Sequence, residues 1–469
     1  MPPRPSLHGS SNGKPAPASK PPAARRAALQ QLLGMVGPVP RKWLAAGGRG
    51  LTGYAAHQWG DEEKTLRIRS CEEWGELKES WGKALHWSGG LNAALITMLA
   101  SSASTPLPGE QLWLKVIGPP SCGKTTLMEG LATAKKYYLS KDTIRGFHSG
   151  YKEKDNDEDK SLAQLVDGMT LGTKDGDTLL KAPNKAQILS EARALYDRAS
   201  RTNYRNNINR EYVGHSMTWH LAGTAALREI DDSELGARFL DVVVMDKITP
   251  EFEARVASQA ASNEFDNLFR NTSEGLEAKY SDSLGKAMAL TGGYLGFLRE
   301  NIVEIGMALG KEGRVEVLHQ CQDLAAYVAH MRARPGVQST EDPEREFSPR
   351  LTKQLTQLAA VTACTLGVDD IGDPSVMDIV RKVAFDTSRG PTVRLMDLMV
   401  PQPQGMEVRG IASFLQQRDD KVREYLRFLG HIGVLQVSKN RKRWRVDPSM
   451  VELTERIHGN WRPELVQSV

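Results

Sequence analysis

Between residues 106 and 250, short apolar runs alternate with segments of helical spacing, which predicts strands and helices laid down in turn. Residues 112–117 form a β-prone run, and residues 126–131 are helix-compatible. Residues 169–177 and 217–224 read as further strands that end in polar residues, and another apolar strand follows Arg238-Phe239, ending at Val244. Alternation of this kind predicts an α/β fold: a parallel sheet sandwiched by helices, with its ligand at the C-terminal ends of the strands. From about Pro250 to Arg389 the spacing turns helical, for example over 318–328 and 351–364, and predicts a helical lid or bundle. Two short helices (395–399 and 411–415), a third (422–429) and a hairpin (434–437 with 444–446) are expected further on.

Composition fills in the ends of the chain. Residues 1–40 are rich in Pro, Ala, Ser, Gly and basic residues with little to bury, as in a disordered basic tail. Residues 41–105 hold five of the nine tryptophans, Trp43, Trp59, Trp74, Trp81 and Trp87, and read as a small helical region that uses them for core or docking. The expected units are therefore 1–40, 41–105, a nucleotide-binding core at 106–250, a helical lid at 251–390, a unit at 391–448 and a tail at 449–469. A net charge of +4 over 469 residues makes no bulk case for nucleic acid, so only local clusters can make one. Cys71, Cys122, Cys321 and Cys364 are far apart and form no zinc or redox pair. With no bilayer-length apolar run and no signal peptide, the expectation is a cytoplasmic protein away from the membrane.

The strongest chemical signal is Gly118-Pro119-Pro120-Ser121-Cys122-Gly123-Lys124-Thr125, a complete G-x-x-x-x-G-K-T phosphate loop between a predicted strand and a predicted helix. Its glycines let successive N–H groups turn inward, and the helix N-terminus adds partial positive charge where a β-phosphate would rest. Lys124 is expected to reach the β- and γ-phosphates, Thr125 to offer a hydroxyl to Mg²⁺, and Thr126 to complete the nucleotide-binding set. Such a loop does not choose a reaction by itself. The Asn-Lys-x-Asp of GTPases is absent, since residues 184–187 lack the aspartate, and so is the Leu-Ser-Gly-Gly-Gln of transporter ATPases.

Residues 169–177 read as a strand ending in acids, with Asp175 placed to hold Mg²⁺ and Asp177 to polarise water. Residues 217–224 read as a strand ending in the polar Thr224, with His220 packed beside it as a structural histidine. Arg238-Phe239 precedes an apolar strand, and Arg350 follows the helix-starting Pro349. In this order the motifs resemble the AAA+ ATPases over residues 106 to about 390, in particular minichromosome maintenance helicases and phage or mobile-element replication ATPases. The unit behind them resembles a winged helix. The match breaks at two places: Gly176 stands where that family has glutamate after the aspartate, and the short N-terminal region cannot supply its zinc-bearing oligonucleotide-binding domain.

The resemblance implies ATP and Mg²⁺ as ligands, Thr224 as the first sensor, Arg350 as the second sensor closing a lid, and Arg238 as an arginine finger offered to a neighbour in a homo-oligomeric ring. It implies DNA as the track. Arg201, Tyr204, Arg205 and Arg210, within a polar loop expected to face the pore, and Lys439, Arg441, Lys442 and Arg443 at the hairpin tip are the candidate DNA contacts. Two outcomes stay open: a DNA-translocating, helicase-like hydrolase, or an ATP-gated assembly switch such as a loader, transposition regulator or phage-defence component.

Overall fold

The computed structural model describes residues 62–85, 87–150, 159–204, 208–230, 238–245, 250–268, 282–333, 347–388, 390–438 and 442–458. Two helices, α1 (Glu62–Ala84) and α2 (Gly89–Ser104), lead into β1 (Trp113–Ile117), α3 (Lys124–Ala132) and β2 (Tyr138–Lys141). The chain continues through α4 (Leu162–Leu165), β3 (Thr170–Thr173), α5 (Gly176–Leu180) and α6 (Lys185–Tyr196). A hairpin of β4 (Ala199–Asn203) and β5 (Asn209–Val213) precedes β6 (Thr218–Gly223) and β7 (Phe239–Val243).

Five strands form one parallel sheet in the order β2-β3-β6-β1-β7. Both faces of this sheet are covered, which is why its strands are nearly continuous apolar runs. Leu114, Val116, Ala222, Leu240 and Val242 point into a core shared with α2, α3 and the later helices. Trp113, Trp219, Leu221 and Phe239 point the other way, onto Phe147 and the α6 residues Ile188, Leu189, Ala192 and Leu195. Helix α2 is buried from Leu91 to Ser104, so its apolar surface runs all round rather than along one stripe. Trp74 and Trp81 are buried, and Trp87 stacks on Trp81 at 5.6 Å, in keeping with a core role for these tryptophans. Trp43 and Trp59 lie outside the described residues.

Helices then dominate, as the spacing predicts: α7 (Pro250–Leu268), α8 (Asp282–Ala308), α9 (Arg314–Arg332), α10 (Pro349–Leu366), α11 (Pro374–Ser388) and α12 (Pro391–Met399). The last unit comprises β8 (Met406–Glu407), α13 (Val408–Leu415), α14 (Asp419–His431), β9 (Leu435–Val437), β10 (Arg443–Val446) and α15 (Pro448–His458), with a small antiparallel sheet in the order β8-β10-β9. Among the described residues no helix is long and apolar enough to cross a membrane.

Residues 196–210, expected as a polar loop, instead run into the antiparallel β4–β5 pair. Its inward positions carry Ser200 and Tyr212 rather than aliphatic residues, so the strand period is invisible to a hydrophobic scan. His148 reaches up to this pair, with its ring nitrogens 3.0 Å from the Ser200 hydroxyl and 2.8 Å from the Thr202 hydroxyl.

Two polar groups sit inside the sheet itself. Lys115 and Asp241 are cross-strand partners in β1 and β7, fully buried, with Nζ 2.9 Å from the carboxylate, and Arg228 reaches the other carboxylate oxygen at 3.1 Å. Removing Lys115 leaves the buried carboxylate with the partly exposed Arg228, a weaker compensation, so Lys115→Met is expected to cost about 3 kcal/mol in chemical denaturation. Adding Asp241→Asn should recover part of that loss.

His220 is fully buried between Ser101 Oγ (3.0 Å) and the Tyr138 hydroxyl (3.4 Å), as the packed histidine expected from strand alternation. Burial lowers its pKa from 6.5 to about 3. The unfolded chain therefore takes up this proton first, and stability falls as pH drops from about 6.5 towards about 3. The expected slope from this group is about 1.4 kcal/mol per pH unit. Denaturation of His220→Gln across that window should show a flatter profile than the unsubstituted protein.

Candidate functional site

The site grows from the C-terminal end of β1. Residues 118–123 turn sharply, with Ser121 at φ 63° and Gly123 at φ 93°, and α3 starts at Lys124. Glycine is needed at 118 for space, because a Cβ there would stand 2.6 Å from Cys122 Sγ. The Lys124 ammonium folds back over the loop and donates to the carbonyls of Gly118 (2.7 Å) and Pro119 (2.6 Å), with Cys122 Sγ 3.6 Å away. Thr125 is exposed at the helix start, with Thr126 beside it.

Strand β6 lies between β1 and β3, so the phosphate loop and the acids after β3 are two strand spacings apart, about 10 Å. Asp175 is exposed just past β3, where the Thr178 hydroxyl donates to its carboxylate. Asp177 turns towards the end of β6 and accepts from the Thr224 backbone N–H (3.0 Å) and hydroxyl (3.2 Å). The strand that ends in Thr224 thus holds the second acid.

The glycine that interrupts Asp175 and Asp177 has a steric cause. A Cβ at Gly176 would meet Leu221 Cδ1 at 2.7 Å and the Ala222 carbonyl at 3.0 Å, so α5 sits flush on β6 only without a side chain there. Beside Asp175, Lys174 pairs with Glu129 of α3 (3.2 Å) and lies 3.9 Å from Asp142, tying the acid turn to the helix that follows the phosphate loop.

Above the loop is an element that the motifs do not reveal. A cavity of about 230 Å³ is bounded by residues 121–126 below, and by Leu85, Val256, Gln259 and Ala260 above. Helix α7 therefore stands over the phosphate loop. Arg350, expected to close over it, is elsewhere. Gln354, one turn further along α10, donates to the Tyr196 hydroxyl and to the Arg238 carbonyl, both at 3.0 Å. Burial raises the pKa of the Tyr196 hydroxyl, Glu110 adds to the rise, and Arg350 and Arg238 oppose it.

Arg238 precedes Phe239, which pairs with Trp113 at the start of β1, so it occupies the sheet edge opposite the phosphate loop. Six strand positions separate them, roughly 20 Å. Its guanidinium binds Asp197 at 3.0 Å and lies over the Tyr196 ring at 5.4 Å. Arg238 and Arg350 thus gather at one edge, and neither faces the loop of its own chain.

The candidate nucleic-acid contacts divide. Arg201 pairs across the hairpin with Glu211 (2.7 Å), and both are exposed. Arg210 is largely covered, reaching Asp159 (3.4 Å) and the Ser149 carbonyl (3.3 Å), while the Tyr204 ring packs on Gly150. Lys442 and Arg443 are exposed at the β9–β10 turn. Arg205, Lys439 and Arg441 lie outside the described residues. Arg423 and Arg427, one turn apart on α14, are also exposed and escaped sequence reasoning; their i, i+4 spacing, on a helix whose bases are balanced by Asp419, Asp420 and Glu424, was the available signal.

No protein-family profile matches this chain, and no curated protein sequence matches it.

Gly176→Ala is expected to destabilise the protein by about 1–3 kcal/mol through overpacking against β6. Gly75→Ala, on α1 with nothing within 4 Å of the added Cβ, is expected to stabilise it by up to about 1 kcal/mol. Urea denaturation of the two variants side by side checks the contrast.

Proposed function

We propose that this chain is an ATP hydrolase of AAA+ type, working as a homo-oligomeric ring that moves on or remodels DNA. The observation that supports it best is the complete phosphate loop at the end of β1, with one strand between it and the acid-bearing β3 and with Thr224 at the end of that strand. In this reading the loop N–H groups and Lys124 take the triphosphate, whose oxygens displace the Gly118 and Pro119 carbonyls from the ammonium.

Mg²⁺ suits the donors present. Among the described residues no group of three His, Cys, Asp or Glu side chains is arranged to hold a metal unaided. Mg²⁺ characteristically takes phosphates, waters and one or two oxygen side chains, which Thr125 and Asp175 would supply. When bound, it neutralises charge on the β- and γ-oxygens. Asp177, fixed by Thr224, would orient the attacking water and accept its proton.

Arg238 lies too far from its own loop to act there, so its role in this reading is in trans. Arg238 of the partner subunit would leave Asp197 and neutralise charge on the transferred phosphoryl group, a contribution of about 10³–10⁵ in rate where such fingers operate. Arg350, on the same edge, would arrive from the same neighbour. The last unit, two helices followed by a hairpin, is read as a winged helix whose Lys442 and Arg443 meet backbone phosphates.

A second reading, an ATP-gated switch with slow hydrolysis, is favoured by the hairpin: Arg210 is largely covered and paired with Asp159 rather than turned outward to grip a strand.

Steady-state ATP hydrolysis without DNA, with single-stranded DNA and with duplex DNA separates the two. The motor reading expects stimulation by one DNA form and a loss of about 10²-fold or more in Lys124→Ala. Lys124-dependent hydrolysis indifferent to DNA favours the switch. Asp177→Asn should lower the rate as well, and an unchanged rate would remove Asp177 from the chemistry.

A further inference from the structure

The cavity over the phosphate loop has a second half that the motifs leave unassigned. Among the described side chains of α7, residues 253–262, Val256 and Gln259 are half-buried and the rest are exposed. Val256, Gln259 and Ala260 follow the i, i+3, i+4 spacing of one helix face, and this face lines the cavity. Leu85, from the joint between α1 and α2, lines it as well.

The upper wall is thus three small or apolar side chains and one amide, whereas the lower wall is polar backbone, hydroxyls and an ammonium. A volume of about 230 Å³ is below the roughly 300–1,000 Å³ typical of a whole small-ligand site, so it accommodates one portion of an extended ligand while the remainder follows the open side of the loop. The chemistry of the upper wall suits a flat heteroaromatic ring with a polar edge.

We propose that Leu85 and the Val256–Gln259–Ala260 face of α7 form a nucleobase subsite, in which Leu85 and Val256 contact the faces of the ring and Gln259 hydrogen-bonds the edge of adenine. This rests on the nucleotide-binding reading and adds base selection to it. A carboxamide offers one donor and one acceptor side by side, which matches the adjacent N6 donor and ring-nitrogen acceptor of adenine. Guanine presents two neighbouring acceptors on its N7/O6 side, where a carboxamide can satisfy only one. A competitor that leaves a partly buried amide unpaired is rejected more strongly than one that merely fits less well.

The test is equilibrium binding of ATP, GTP and inorganic tripolyphosphate, each with Mg²⁺, to the full chain and to its Gln259→Leu and Val256→Ser variants. The unsubstituted protein is expected to prefer ATP over GTP by about 10-fold or more. Gln259→Leu should bring the two nucleotides within about 3-fold of each other and leave tripolyphosphate affinity unchanged. Val256→Ser should weaken both nucleotides and spare tripolyphosphate.

An ATP/GTP ratio that survives Gln259→Leu overturns the proposal, as does a parallel loss of tripolyphosphate affinity. Tripolyphosphate binding as tightly as ATP would leave the phosphate-loop reading standing and reject the base subsite. Failure of both ATP and tripolyphosphate to bind would instead reject the phosphate-loop reading, and the subsite with it. Gln259 lies on the half-exposed face of a surface helix, so thermal melts of the two variants should match the unsubstituted protein.

Discussion

Strand β6 is hydrogen-bonded along both edges, to β1 on one side and β3 on the other, and those two ladders set the spacing on which the candidate site depends. Parallel pairing holds neighbouring strands about 4.8 Å apart. The phosphate loop, Thr224 and the Asp175–Asp177 turn therefore emerge in a row at one edge of the sheet. The same strand carries His220, held neutral by burial, and ends where Asp177 accepts from Thr224. Gly223 and Gly176 are needed where α5 and β6 meet, because a Cβ on either would collide with its neighbours.

The outer edge of the sheet connects this site to the rest of the chain. Among the described residues β7 is the last strand of the sheet, and the backbone N–H groups of Asp241 and Val243 donate to Thr387 Oγ1 and the Asp386 carboxylate of α11. Lys382 completes the arrangement by donating to the Val243 carbonyl and to Asp386. A helix thus covers an edge that would otherwise invite pairing with another chain. Farther out, α15 returns to α9 through the Arg456–Asp323 pair, and His458 stacks on Phe385 of α11. The unit formed by residues 391–458 is consequently joined to the sheet through side chains of α9 and α11.

Much of this was legible along the chain. The strands at 113–117, 170–173, 218–223 and 239–243 follow apolar runs because both sheet faces are buried, and α14 follows helical spacing because it buries one face, through Val422, Leu426 and Leu429. The phosphate loop was legible because its chemistry needs particular residues at fixed offsets. The β4–β5 hairpin was not, since its inward side chains are polar and its partners, His148 and Asp159, come from a distant segment. The position of Arg350 near Tyr196 was not legible for a related reason: a helix-start arginine looks the same wherever the helix docks.

By itself the sequence determined the α/β class, the order of the apolar strands and the place of the Gly118–Thr125 loop between a strand and a helix, all of which rest on local spacing and local backbone geometry. Tertiary structure alone decided that β6 separates β1 from β3, that Gly176 is required by contact with Leu221 and Ala222, that α7 rather than α10 stands over the loop, and that Arg238 and Arg350 share the far edge. Those outcomes depend on which surfaces pack together across long stretches of chain, and no residue pattern within one segment records its partner in another.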